Sequence, residues 1–271
     1  MNSIQGRRQA ALDEISRAAS SRAHAFVLHY VGATFDAAER RITAIAARNL
    51  GSGVTECFEI ESELRRNGIE PHHASNEELD QAERRMFDRF YAFVREHRNH
   101  FWLHWNMRNS MFGFPALENR QIALGGRKAT IPDQFRVDLA DRLIDIYGDS
   151  YANPTNRLRS LAEINRIALP HLIDGPDQGR VLERRDFAAG TRSLLNRIDV
   201  NRTDVMYVVA IKIFERTLKT KSTLRDRIAA AGGIVRWVKD HPVAIAFAIA
   251  APAITVVLGL LHLWGWFHGM P

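Results

Sequence analysis

The sequence predicts an α/β domain with a helical C-terminal region and one C-terminal transmembrane helix, and three observations carry the prediction. Three β-type runs lie between residues 25 and 61, and helical spacing dominates beyond residue 130. No Asp, Glu, Lys or Arg occurs from Pro242 to Pro271, although 25% of the 271 residues are charged. Hydrophobic residues make up 46% of the chain, enough for a sizeable core. The formal net charge of +6 permits contact with nucleic acid or anionic lipid. Arginine is nevertheless spread along the chain and never forms a run of five or six, so composition alone demands neither partner. Cys57 is the single cysteine, which excludes a disulfide framework and a cysteine-based zinc site and suits a reducing compartment.

The N-terminal stretch MNSIQGRRQAALDEISRAAS has no apolar run and carries Asp13 and Glu14. It predicts a short surface helix, neither a secretory signal nor a transit peptide. Ala25–Val31 (AFVLHYV) is β-rich, and Arg41–Arg48 and Thr55–Glu61 alternate with the period of two that half-buried strands require. Asn49-Leu50-Gly51-Ser52-Gly53 joins the last two as a hairpin, with glycines available for positive φ. After a loop holding Pro71, His72 and His73, Ser75-Asn76-Glu77-Glu78 forms a capping box. Leu79, Ala82, Met86, Phe87, Phe90, Phe93 and Val94 then follow at helical spacing. Phe101-Trp102-Leu103-His104-Trp105, the densest aromatic stretch, predicts a buried fourth strand. A helix comes next, from Phe114 to Leu124, ended by Gly125-Gly126.

Phe135, Leu139, Leu143, Ile146 and Tyr147 make one helical stripe stopped by Gly148, and Leu158, Leu161, Ile164 and Ile167 make another after the turn at Asn153-Pro154. Further helices are expected around Val181–Phe187, near Leu194–Ile198 and over Thr203–Leu218, and a last one from Ser222. Val243–Leu261 (VAIAFAIAAPAITVVLGLL) supplies roughly the ~20 apolar residues that a helix rising ~1.5 Å per residue needs to cross ~30 Å of hydrocarbon. Trp237 stands before it and Trp264, Trp266 and Phe267 after it, as an aromatic belt would. Arg225, Arg227, Arg236 and Lys239 precede the span while only histidines follow, so the positive-inside rule keeps the body cytoplasmic. The expected organisation is a surface helix over 1–22, an α/β domain over 23–220, a juxtamembrane helix over 221–241 and a transmembrane helix in the lipid bilayer over 242–267. Ala251, Thr255 and Gly259 recur every four residues, a small-residue seam suited to homo-oligomer formation through the span.

Three strands, a helix, a fourth strand, a helix and a helical tail is a running order that resembles the ribonuclease H-like superfamily, in particular the DEDD-type 3′–5′ exonucleases. Fragments within residues 23 to 205 carry the likeness. Arg41-Ile42-Thr43-Ala44-Ile45-Ala46 with Gly51 is similar to the second strand and hairpin of those enzymes. His104-Trp105-Asn106 ahead of Phe112-Gly113-Phe114 is similar to their segment at the fourth strand, and Leu158–Asn165 with Leu195–Val200 to their last region. The resemblance implies two Mg²⁺ ions held about 3.5–4 Å apart between carboxylates, one generating the attacking hydroxide and both stabilising the pentavalent phosphate. This chain departs from that pattern. Val27–Gly32 has no carboxylate where the first strand needs two, Asp36 and Glu39 come later in loop-like sequence, and Gly113 stands where the fourth strand needs an aspartate. Only Asp199 falls where a carboxylate is expected, so Mg²⁺ binding applies only to an intact site. The resemblance therefore implies a degenerate nuclease-like domain that binds nucleic acid or nucleotide at the membrane, in a defence or stress-response setting. His104 and Asp199 are its candidate catalytic residues, and His29, Asp36, Asn106 and Arg108 its candidate binding residues.

A second pattern runs through the same stretch. Arg98-Asn99-His100-Phe101-Trp102-Leu103-His104 resembles the Arg-x(4–6)-His motif of HEPN-type ribonucleases. That resemblance implies metal-independent cleavage with His104 as general base and Arg98 stabilising the phosphate. Such domains are helical bundles, whereas His104 sits in a strand-like run. A third expectation is a non-enzymatic membrane effector whose span oligomerises. His104, Asn106 and Arg108 also suit a polar strand end bonded to its neighbouring loop, and Trp102 and Trp105 are more often core than nucleobase platforms. Asp141 and Asp145 share a helix with Arg142 and read as a solvated face.

Overall fold

The computed structural model describes residues 4–32, 41–107, 113–127, 130–168 and 189–230, and the side chains of all of these except 189–201. Helix α1 (Ile4–Ser20) leads into β1 (Ala25–Gly32), β2 (Ile42–Asn49) and β3 (Thr55–Glu59). Then come α2 (Ile60–Arg66), α3 (Asn76–Glu96), β4 (Phe101–His104), α4 (Phe114–Ala123), β5 (Arg136–Asp138), α5 (Leu139–Tyr147) and α6 (Arg157–Ile164). Helices α7 (Ala189–Phe214) and α8 (Leu224–Ala230) complete the described chain. The strands form one mixed sheet in the order β3-β2-β1-β4-β5. β1 and β3 run antiparallel to β2, while β4 is parallel to both β1 and β5. The molecule is thus α/β, as expected.

Position in the sheet explains each strand's composition. β1 lies at the centre, and seven of its eight residues are buried, only His29 being intermediate. A strand covered on both faces reads as a nearly continuous apolar run, as AFVLHYVG does. Ala25 and Val27, with neighbouring Leu103 and Val137, pack into a core with Ile15 of α1, Leu143 of α5 and Val209 of α7. Phe26 and Leu28 face the other way, toward Met86, Phe87 and Phe90 of α3 and Leu117 of α4. Two apolar layers on one sheet are what an α/β/α arrangement requires.

The β2–β3 hairpin closes as its residues dictate. The Asn49 Oδ1 accepts hydrogen bonds from the Gly51 and Ser52 amides, both at 2.9 Å, and Gly53 takes the positive φ of 72°. A Cβ on Gly51 would lie 2.8 Å from the Ala23 Cα, so the turn nests against the lead-in to β1 only with glycine there. The capping box is present in full: the Ser75 amide donates to Glu78 Oε2 at 2.7 Å, and the Glu78 amide donates to Ser75 Oγ at 3.3 Å.

Three expectations are corrected. Residues 135–147 are not one helix: Arg136–Asp138 form the edge strand β5, because Asp138 caps Leu139–Tyr147 by accepting from the Ala140 amide. The third strand stops at Glu59, and Ile60–Arg66 turns into a helix whose Ile60 and Leu64 join the core. The helices expected near Leu194 and over Thr203–Leu218 are one, running Ala189–Phe214. No Pro or Gly separates them from Leu194 onward, so nothing breaks the ladder.

No helix among the described residues is long and apolar enough to cross a membrane. Asp36, Arg108, the helix expected around Val181–Phe187, and everything beyond residue 230 lie outside the described residues, including the predicted span 242–267 with Ala251, Thr255 and Gly259.

Candidate functional site

The parallel strands β1, β4 and β5 end on the same side of the sheet, and the polar residues there come from three elements. His104 closes β4 and pairs in register with Asp138, the last residue of β5. Both are buried, at 2% and 6% exposure. The Nδ1 of His104 accepts a hydrogen bond from the Met107 amide at 3.3 Å, and its ring meets Phe114 edge-on at 4.9 Å. Accepting at Nδ1 places the proton of the neutral ring on Nε2. Asp138 Oδ1 accepts from the amides of Asn106 and Ala140, each at 3.1 Å. One carboxylate thereby caps α5 and fixes the turn after β4, where Asn106 takes a left-handed φ of 56°. The pair is a structural knot at the end of the sheet.

His29 lies on the opposite face of the sheet. Burial, with the positive charge of Arg202 on α7 adding to it, pushes its pKa down to about 3, so the ring is neutral. A neutral imidazole in this setting cannot donate charge to an anionic ligand.

The two-metal chemistry expected of a nuclease needs clustered carboxylate oxygens, since Mg²⁺ is a hard cation bound by oxygen. Among the described residues the ends of β4 and β5 offer His104 and a single aspartate whose Oδ1 already accepts two amides, and β1 offers His29 on the other face. That donor set does not fit a Mg²⁺ pair. Among the described residues no group of three or more His, Cys, Asp and Glu is placed to hold a metal. His24, His97 and His100 do gather, but ring against ring, with centroids 4.7 and 5.0 Å apart.

A different feature stands near the start of β4. A cavity of about 760 Å³ opens between α3, the turn before β4 and the segment after α4. Arg84, Arg95, Arg98 and Arg127 line it, against one acid, Asp88. All four guanidinium side chains belong to exposed residues, and none has an ion-pair partner among the described residues. Other arginines around α3 are paired: Arg41 and Arg120 converge on Asp80 and buried Glu83, and Arg89 reaches Glu63. Trp102 and Gln121 form part of the wall. Trp102 is 0% and Gln121 2% exposed. Among the described residues the Trp102 Nε1 and the Gln121 Oε1 have no hydrogen-bond partner. Gly125, at φ 73°, leaves room for Arg84, whose Nη1 would stand 3.2 Å from a Cβ there. The clustered positive charge in a concave, partly apolar setting attracts anions, and guanidinium forks match phosphate oxygens.

The sequence-predicted residues are therefore split. Arg98 lines the cavity, whereas His104 is not among its lining residues. The two are not brought together on one ligand, as a paired base and phosphate clamp would need to be. Asn106 contributes its backbone amide to Asp138, and its side chain is on an exposed residue. Asp199 lies within α7, in the part whose side chains are outside the described set, and Asp36 and Arg108 are outside it altogether. Sequence reasoning missed Asp138, hidden in an expected helical stripe. It also missed the cavity, although Arg84, Asp88 and Arg95 fall on one side of a 3.6-residue helix, opposite the Met86–Phe90 stripe. No family model, no curated protein and no solved structure matches this chain.

Proposed function

We propose that this chain is a membrane-anchored, cytoplasm-facing protein whose ribonuclease H-like domain binds nucleic acid or nucleotide without two-metal cleavage. The observation that carries the reading is the cavity lined by Arg84, Arg95, Arg98 and Arg127, with guanidinium groups free of ion pairs among the described residues. Unpaired arginines crowded together repel one another, and the arrangement becomes favourable when an anion with several oxygens lies between them. The running order supports the fold part of the proposal: β1–β3, two helices, β4 parallel to β1, a helix, β5 parallel to β4, and then helices as far as Ala230. The lack of a carboxylate in β1, where that family's chemistry needs two, and the commitment of Asp138 Oδ1 to two amides support binding over cleavage. The anchor rests on the uncharged stretch from Pro242 to Pro271, and Ala251, Thr255 and Gly259 give it a face for self-association.

The test is affinity for a 5′-phosphorylated single-stranded RNA oligonucleotide, measured against salt for the full-length chain in detergent micelles. Each phosphate neutralised on a single strand contributes about −0.7 to the slope of log affinity against log salt. Replacing the four arginines together by glutamine is expected to flatten the slope, by about 0.7 for each phosphate they hold, and to weaken binding at least tenfold at low salt. An unchanged slope would remove the cavity from the binding surface.

A further inference from the structure

The cavity carries more information than its charge. Its volume of about 760 Å³ falls within the roughly 300–1,000 Å³ range of small-molecule sites. Its wall also holds a buried donor, the Trp102 indole N–H, and a buried acceptor, the Gln121 amide oxygen, neither with a partner among the described residues. Unsatisfied buried polar atoms are rare in native proteins and are satisfied when a ligand supplies the partner. Trp102 cannot escape the position, because its ring stacks on Phe26 at 5.2 Å and meets Phe90 edge-on at 6.5 Å. Gln121 is held by its helix turn, with a Cβ-bearing residue excluded at Gly126 by the Gln121 Cγ 2.6 Å away.

We infer that the cavity is a site for one nucleotide, whose phosphate sits among the arginines and whose base presents an acceptor and a neighbouring donor to Trp102 Nε1 and Gln121 Oε1. Every nucleobase carries an acceptor beside a donor on one edge, so a donor–acceptor pair on the protein matches it. The inference rests on the proposed nucleic-acid or nucleotide reading and narrows it to a single nucleotide, free or at the end of a strand. Binding is thus stoichiometric, one nucleotide per chain, and is insensitive to the rest of a polymer.

Calorimetric titration of the full-length chain in detergent micelles with AMP, and with ribose 5-phosphate as the base-free control, tests this. AMP is expected to bind one to one and at least tenfold more tightly than ribose 5-phosphate. Trp102→Phe keeps a ring and removes the N–H, and Gln121→Met keeps the length and removes the acceptor. Each is expected to weaken AMP about 5- to 30-fold, the worth of one hydrogen bond to a buried group, and to leave ribose 5-phosphate within twofold. Arg98→Gln is expected to weaken both ligands. Competition of AMP with a 5′-phosphorylated oligonucleotide, but not with the same oligonucleotide lacking that phosphate, assigns the site to strand ends as well as free nucleotides. Equal affinity for AMP and ribose 5-phosphate, or no effect of either wall substitution, would overturn the base-recognition inference. RNA binding that depends on the arginines but ignores both AMP and the terminal phosphate would overturn it while leaving the proposed function intact. Absence of binding to AMP, ribose 5-phosphate and RNA alike would overturn both.

Discussion

His104 and Asp138 face one another across the β4–β5 pair, with Nδ1 3.8 Å from Oδ2 and both side chains buried. That separation is too long for a hydrogen bond, and the carboxylate instead spends Oδ1 on two backbone amides. Asp138→Ala should therefore cost about 1–2 kcal/mol, from a lost helix cap and a lost acceptor for the Asn106 amide. Asp138→Asn keeps an acceptor oxygen and should recover most of the loss. Urea unfolding of both variants measures this, and equal destabilisation by the two would show that the charge, not the cap, matters.

Acid should destabilise the body through His29. A base whose folded pKa is depressed binds fewer protons folded than unfolded, so stability is complete above the unfolded pKa and is lost as pH falls below it. For His29 the window runs from 6.5 down to about 3. Within it one such group removes roughly 1.4 kcal/mol per pH unit. His100, depressed chiefly by burial and further by His97 and His24, acts in the same direction. The urea midpoint of wild type should fall between pH 6.5 and 5, and His29→Gln should flatten that dependence. Parallel pH profiles for the two proteins would contradict it.

Glu83 is 0% exposed and accepts from Arg120 Nε at 2.9 Å, Arg120 Nη2 at 2.5 Å and the Ile42 amide at 2.7 Å. Arg120→Met strands a buried carboxylate and should cost about 2–4 kcal/mol, a little under a fully isolated pair because Arg41 stays within reach. The double variant Glu83→Met/Arg120→Met should cost less than the two single changes summed, by at least about 1 kcal/mol. Strict additivity in a double-mutant cycle would contradict the coupling.

The proposed anchor predicts its own topology. With Cys57, an exposed thiol, replaced by serine, a Met270→Cys variant should react with an impermeant maleimide added outside intact cells, as the basic residues before the span require. Labelling only after permeabilisation would reverse the orientation.

The α/β class was legible because β1, β2, β3 and the α3 stripe each obey a single period over enough residues to show it. β5 was not, since three residues, Arg136-Val137-Asp138, carry no readable alternation. The helical stripe of α5 simply ran back over them to Phe135. α2 was hidden for a related reason: Thr55–Glu61 alternates throughout, and only the packing of Ile60 and Leu64 decides where strand becomes helix. At the candidate site, Arg98 was singled out for a partnership with His104 that the ends of β4 keep apart. Trp102 was read as core, which its 0% exposure bears out. What periodicity could not show is that Trp102 lines the same cavity as four arginines from three separate segments, because only the folded chain brings residues 84 and 127 together.

Binding without cleavage is tested most directly by one incubation read on two gels. A 5′-phosphorylated single-stranded RNA carrying a 3′ fluorescent label is mixed with the full-length chain in detergent micelles, in parallel samples containing Mg²⁺ and excess EDTA. The expected result is a shifted band on the native gel at low salt, with full-length RNA on the denaturing gel in both samples. Shortened RNA in Mg²⁺ alone would reinstate two-metal chemistry, shortened RNA in EDTA would reinstate a metal-independent ribonuclease, and an unshifted band would remove the nucleic-acid reading itself.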